Sequence, residues 1–349
     1  MDAAPCPVHR SETEYDFLED QADAIAQTVG YHRNDFPFSA IWFSPREHAD
    51  IQKSIATPFR PASGVGLGAL DQLPLELLHD VVLRLDMHSL FLFRQANLRS
   101  RQTVDSLQQY QMVVSHGLNL FCALLRLSLA TGVSLLDFYK ALCTKACRLC
   151  GAFGGYMSLL LWERCCFNCC NSLAPETRVG HLFNVQRQFP LSKAQLTQLK
   201  VIKAFPAAYG DTPRFLRNHR FMMASPLQAF LLLGGRRDEF KTMEVWWNPN
   251  WNRMGSCALP YFDCPTGKVE HGISCAGCQL AVEKRVLGDM NERWLVEARE
   301  KLYAQDGFLE HFRWCKHAQL LWESSCGGTR QPAELPLFVQ RGGHFIPRE

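Results

Sequence analysis

Residues 147–170 read CRLCGAFGGYMSLLLWERCCFNCC and hold six of the chain's 15 cysteines. Cys147 and Cys150 form one C-x-x-C, Cys166 and Cys169 a second, and fifteen residues separate the pairs. A C-x-x-C turn presents two thiolates from one tight knuckle, so two such turns at this spacing suit a closed, four-thiolate structural zinc site. Gly151, Gly154 and Gly155 allow the sharp backbone a knuckle needs. The apolar run Tyr156 to Trp162 reads as a strand returning the second pair to the first, in the manner of a zinc ribbon or treble clef. Cys165 and Cys170 lack the x-x spacing and are read as spare thiols. A thioredoxin-like role would need a strand leading into the motif, whereas a helical pattern runs into this one.

Composition sets the frame for that site. The chain has 349 residues, 47% hydrophobic and 20% charged, enough for two or three domains or for one large core with an appended module. The 37 Lys and Arg are spread rather than blocked and the formal net charge is +3, which gives little ground for a nucleic-acid footprint. The N-terminal twenty residues have neither a basic nor an apolar signal region, and Arg126 interrupts the apolar stretch Leu118 to Leu136. An intracellular protein, cytoplasmic or nuclear and without a membrane span, is therefore expected. In such a compartment cysteines serve as metal ligands and buried thiols rather than in disulfides.

Downstream, Cys275 and Cys278 form a third C-x-x-C, and GFLEHFRWCKHAQLLWE reads as one helix on which His311 and Cys315, four apart, share a face. Cys275, Cys278, His311 and Cys315 would make a second zinc site, with Cys257, Cys264, His271, His317 and Cys326 as competing donors. Between the two sites, Ser192 to Ala204 reads as a helix, and Ser225 and Pro226 open another that Gly234 and Gly235 end. The basic run Arg214 to Arg220 reads as a solvated face. The Trp246, Trp247 and Trp251 stretch reads as packing.

Upstream of the first site, Leu73, Leu77, Leu78, Val81, Val82 and Leu85 recur at helical spacing behind Pro74 and give one apolar stripe. Two further short helices follow, around Leu90, Phe93 and Ala96 and around Val104 and Leu107. Gln109 to Thr131 is a long helix with Met112, Val113, His116, Leu120, Leu124 and Leu127 inward. Ser134 caps the next one, which carries Leu135, Phe138 and Leu142. His116 is read as a core histidine. Residues 34–68, punctuated by Pro37, Pro45, Pro58 and Pro61, read as a linker.

The stretch LDQLPLELLHDVVLRLDMHSLFLFRQANLRSRQTVDSL resembles an F-box, with Leu73, Pro74, Glu76, Leu77 and Leu78 in the place of its Leu-Pro-x-Glu-Leu-Leu opening. Followed by the Cys-Gly-Ala-Phe-Gly-Gly run and the paired cysteines, it is similar to zinc-containing F-box proteins of filamentous fungi over residues 66 to about 325. A knuckle paired with a Phe-x-x-His-Phe-x-x-Cys helix, as at Cys275 to Cys315, belongs to the same likeness. The resemblance implies docking on the Skp adaptor of an SCF (cullin-RING) ubiquitin ligase through Leu73, Pro74, Leu77, Leu78, Val81, Val82 and Leu85. The remaining body would then present a protein substrate.

The expected fold is mainly α with small zinc-stabilised β elements (α+β). It comprises an N-terminal extension and partly flexible linker (1–65), a three-helix F-box (66–110), connecting helices (111–145), a cysteine-rich body with two zinc sites (146–330) and a C-terminal tail (331–349). An enzyme is not expected: no H-E-x-x-H, G-x-S-x-G or P-loop occurs, and four-ligand zinc sites are closed. A zinc-finger nucleic-acid binder, or a scaffold unconnected with ubiquitin, is the alternative.

Overall fold

An eight-residue amphipathic run, Ala22–Val29, forms α1 with Ile25 and Val29 fully buried, and Gly30–Tyr31 (β1) pairs antiparallel with Ser274–Cys275. The computed structural model describes residues 10–36, 40–41, 49–57, 66–170, 174–204, 221–245, 249–284, 297 and 299–343. Within the expected linker, Ala49–Ala56 forms a second helix, α2, and Ile55 is buried. Two polar anchors hold it: Tyr110 Oη donates to the Ile55 carbonyl at 2.8 Å, and the buried Arg94 guanidinium donates to the Ser54 and Thr57 carbonyls while pairing with Asp105. The reading of residues 1–65 as an extension and linker is thus corrected for 10–36 and 49–57, which pack into the body.

Three short helices follow, Leu75–Arg84 (α3), Met87–Ala96 (α4) and Leu98–Asp105 (α5). Their boundaries are set by side-chain caps: Asp86 accepts from the His88 and Ser89 amides, and Asn97 from that of Ser100. Gln108–Arg126 (α6) and Leu135–Leu142 (α7, capped by Ser134) complete the helical half. Leu120, Phe121, Leu124, Phe138 and Leu142 meet Val82 and Leu90 in its core. Gly117 lets the helices close up, since a Cβ there would lie 2.7 Å from the Phe138 ring. His116 is half-buried, stacked on Phe262, and burial lowers its pKa.

Beyond α7 the sheets are small. Tyr156–Ser158 (β2) pairs with Glu163–Cys165 (β3) on one edge and with Ser256–Ala258 on the other. The predicted strand over Tyr156 to Trp162 therefore ends at Ser158, and Trp162 takes a positive φ in the tight turn that follows. Next come Gly180–His181 (β4), Leu182–Gln188 (α8), Lys193–Gln198 (α9), Val201–Ala204 (β5), Phe221–Ala224 (β6), Pro226–Leu232 (α10), Arg237–Phe240 (α11) and Pro249–Met254 (α12). The predicted helix from Ser192 to Ala204 begins on its cap but stops at Gln198, and Val201–Ala204 turns into a strand against β6. Ser256–Ala258 is β7, Tyr261–Asp263 and Lys268–Glu270 form the β8–β9 hairpin, and Ser274–Cys275 is β10.

Ala276–Glu283 (α13), Gln305–Phe312 (α14), Lys316–Ser324 (α15) and Leu337–Gln340 (α16) close the chain. The expected tail is tied down here: Phe338 is buried, and the Leu337 and Phe338 amides donate to the Glu283 carboxylate at 2.8 and 3.0 Å. Trp251 is buried, as packing required, whereas Trp246, Trp247 and the Arg214 to Arg220 run lie outside the described residues. No described helix is long and apolar enough to cross a membrane.

Candidate metal centres

The first cluster is built almost entirely from its own segment. The Cys147 carbonyl accepts from the Gly151 amide at 2.9 Å, which closes the knuckle, and Gly151 sits at φ +80°, a conformation glycine adopts freely. The β2–β3 hairpin then brings Cys166 back, and the Cys169 amide donates to the Cys166 sulfur at 3.4 Å. Cys150 Sγ and Cys166 Sγ stand 3.7 Å apart, and one sulfur from each of Cys147, Cys150, Cys166 and Cys169 lies within 4.8 Å of every other. Behind the hairpin the buried Arg164 guanidinium donates to the Thr144, Leu259 and Pro260 carbonyls, which fixes the hairpin to β7 and the loop after it.

Crowding of four sulfurs splits their proton affinities. Hydrogen bonds from Cys166 and Cys169 hold the Cys147 thiol far below its usual range, and one from Cys166 draws Cys150 down to about 7. Cys166 and Cys169 are pushed up, chiefly by the bonds they give Cys147. Protons shared in this way stabilise a thiolate or two, whereas a bound cation would let all four ionise. Cys165 and Cys170 are buried beside the cluster and hydrogen-bond to each other, outside the set of four.

The second cluster draws on distant segments. Cys275 ends β10 and caps α13, accepting from the Cys278 amide at 3.4 Å, so the knuckle is the strand-to-helix turn itself. His311 lies in the last turn of α14 with its ring stacked on Tyr303, centroids 4.7 Å apart. Cys315, fully buried, stands at the N-cap position of α15. The expected single helix carrying His311 and Cys315 is therefore corrected: the chain breaks after Phe312 and restarts at Lys316. The two donors still converge, because a C-terminal turn and the next N-cap point to one place. Cys275 and Cys315 sulfurs are 3.7 Å apart, Cys278 and Cys315 4.0 Å, and Cys278 Sγ to His311 Nε2 3.2 Å.

Two glycines permit this assembly. A Cβ on Gly277 would come 2.2 Å from the Ala318 amide nitrogen where α13 crosses α15, and one on Gly30 would lie 2.4 Å from the Ala26 carbonyl oxygen. The N-terminal segment lies against the cluster: Gly30 is the β partner of Cys275, and Arg10 bridges to Cys315. The buried Arg33 pairs with Asp35 and Glu300 close by. Desolvation would lower the Arg33 pKa, but the two carboxylates outweigh it and the net shift is upward. Burial disfavours a thiolate at Cys275, yet bonds from Cys278 and Cys315 hold it down, and Cys278 is raised in return.

All eight sulfur and imidazole donors expected from the sequence come together in these two groups, each of which could hold a metal ion. The competing donors are elsewhere. Cys257 is buried beside Asn119, Cys264 lies against Cys143, Cys326 is exposed, and His271 and His317 stand outside both groups. Sequence reasoning missed the covering role of residues 10–36 and the Tyr303 ring, for which the sequence carries no spacing signal.

The seven apolar residues assigned to partner docking divide. Leu78 (3% exposed) and Val82 (1%) face the chain's own core and are corrected as docking residues, and Leu85 is half-buried. Leu73, Pro74, Leu77 (55%) and Val81 (46%) are exposed, joined by Leu70 and Leu75, which the sequence reading passed over. Comparison with family models, with curated proteins and with solved structures finds no match for this chain.

Proposed function

We propose that the chain is an adaptor of F-box type, which docks on the Skp subunit of a cullin-RING ubiquitin ligase and presents a protein through its zinc-stabilised body. One observation carries this reading: Leu77 and Val81, one turn apart, line the exposed side of α3 beside a buried stripe of Leu78 and Val82, and Leu70 and Leu73, on the short turn that leads into the helix, are exposed as well. Exposed large apolar side chains in contiguous array mark a surface built for a protein partner. Every residue from Gly68 to Leu77 is exposed, so the strip is open on the approach to α3 as well. Each side chain buried on docking contributes roughly 1.5 to 3 kcal/mol before the cost of association.

Zinc is the metal that fits the donor sets, three or four thiolates with at most one imidazole. A tetrahedron with metal–sulfur distances of about 2.3 Å has edges of about 3.8 Å. The sulfur separations of 3.7, 3.7 and 4.0 Å agree with it. Both sets are closed, so the zinc would be structural.

The test is copurification of the full chain with the Skp adaptor. Leu77→Asp combined with Val81→Asp is expected to abolish binding while leaving the circular dichroism unchanged, because both side chains are solvent-facing. Leu78→Ala should instead cost about 2–5 kcal/mol of stability through a core cavity. No binding of the unaltered chain at micromolar concentration would overturn the adaptor reading. Metal analysis should return two zinc per chain, and a value near zero would overturn both zinc sites.

A further inference from the structure

We propose that Cys143 and Cys264, outside both metal clusters, form a reversible dithiol–disulfide pair that clips α7 to the β8–β9 hairpin. Their sulfurs stand 2.7 Å apart, against 3.7, 3.7 and 4.0 Å for Cys150–Cys166, Cys275–Cys315 and Cys278–Cys315 inside the metal clusters. Two ligands of one tetrahedral zinc are held about 3.8 Å apart, so a separation of 2.7 Å does not fit a shared cation. It leaves about 0.7 Å to the 2.03–2.05 Å of a disulfide. Among the described residues, neither cysteine belongs to a group of metal-ligating side chains.

Both ends are fixed by their own backbones. Cys143 terminates α7, its amide donating to the Tyr139 carbonyl at 3.0 Å. Cys264 opens the β8–β9 turn, which is locked by the Gly267 amide donating to the Asp263 carbonyl at 2.7 Å, with Gly267 at φ +69°. The third polar group is Tyr139, whose hydroxyl oxygen lies 3.4 Å from the Cys264 sulfur and can donate to it as a thiolate. Cys264 is exposed and Cys143 half-buried, and burial, with the hydrogen bond to Cys264, pushes the Cys143 thiol up to about 12. Exposure therefore makes Cys264 the attacking sulfur and Cys143 the resolving one.

With hydrogen peroxide as oxidant the electrons balance in two steps. The Cys264 thiolate attacks one peroxide oxygen, the O–O bond breaks, and the hydroxide released takes up the proton given off by the thiol, leaving as water and a sulfenic acid at Cys264. Cys143 sulfur then attacks the sulfenic sulfur, the S–S bond forms, the S–O bond breaks, and hydroxide leaves with the Cys143 proton as a second water. Two thiols lose two electrons in all, and a dithiol reductant returns them. The product would close a loop spanning a sequence separation of 121 and enclosing the first metal cluster. None of this depends on docking by α3.

The full chain, as purified, would be treated with one to ten equivalents of peroxide, alkylated, digested with trypsin without reduction, and assayed for metal release. The expected product is peptide 141–145 linked to peptide 254–268, cleaved by dithiothreitol and formed before any metal is released. Because the second peptide also contains Cys257, the link should persist in Cys257→Ser and vanish in Cys264→Ser and Cys143→Ser. Tyr139→Phe should slow its formation several-fold. Recovery of both peptides unlinked, at a dose that oxidises other thiols, would overturn the proposal, as would a link surviving Cys264→Ser or forming only after metal is lost. The mapping of the unaltered chain decides even if a variant does not fold.

Discussion

The two cysteine clusters use similar donors and reach them by opposite routes. The first closes within residues 147–169, a knuckle, a hairpin and a helical turn consecutive along the chain. The second gathers donors from residues 275–278 and 311–315 and lies beneath a strand from residues 30–31. A locally built site should organise its own segment, whereas one assembled from remote segments should hold those segments together. The difference turns on chain connectivity rather than on the ligands.

The sharpest way to break this contrast is to remove one ligand from each cluster. Cys315→Ser is expected to cost at least about 3–5 kcal/mol and to expose amides of residues 10–31 and 274–324 to hydrogen exchange, since structural zinc binding is folding free energy. Cys150→Ser should be equally defective in metal content but leave residues 10–31 protected. Equal loss of protection there in both variants would erase the distinction.

A smaller effect sharpens the same contrast through the backbone. Gly277→Ala forces a Cβ against the Ala318 amide and should cost about 3 kcal/mol, because two helix backbones must separate. Gly151→Ala meets no atom within 4 Å but imposes a positive φ on alanine, for about 1–2 kcal/mol. Denaturant midpoints at unchanged slope would measure both, and a reversed order would contradict the account.

The smallest effect is expected at the spare thiols. Cys165→Ser and Cys170→Ser, at buried positions that pair with each other, should each cost about 1–2 kcal/mol and leave metal content unchanged. Loss of one metal equivalent in either variant would reassign the first site.

These contrasts also explain what the sequence disclosed. Two C-x-x-C pairs at finger spacing name their own ligands, because short loops restrict where the sulfurs can go. His311 and Cys315 were legible as a pair through an i, i+4 relation, although the helix in fact breaks between them. Periodicity drew one stripe through Leu73, Leu77, Leu78, Val81, Val82 and Leu85, but it does not say which of two adjacent faces meets the core. Only the packing of α3 against α7 separates Leu78 and Val82 from Leu77 and Val81. Cys264 was legible only as a competing donor for the second site, and no spacing in the sequence joins it to Cys143, 121 residues away.

The pairing of Gly30 with Cys275 has a consequence in time. At roughly 5–20 residues per second, a ribosome that has finished β1 needs on the order of tens of seconds to deliver β10, α14 and α15. Over that interval Ile25, Val29 and Tyr31 have no native surface to cover them. Residues 22–31 should therefore stay uncovered until the last segments emerge, and a bulky insertion before them would compete with the last step of folding rather than the first.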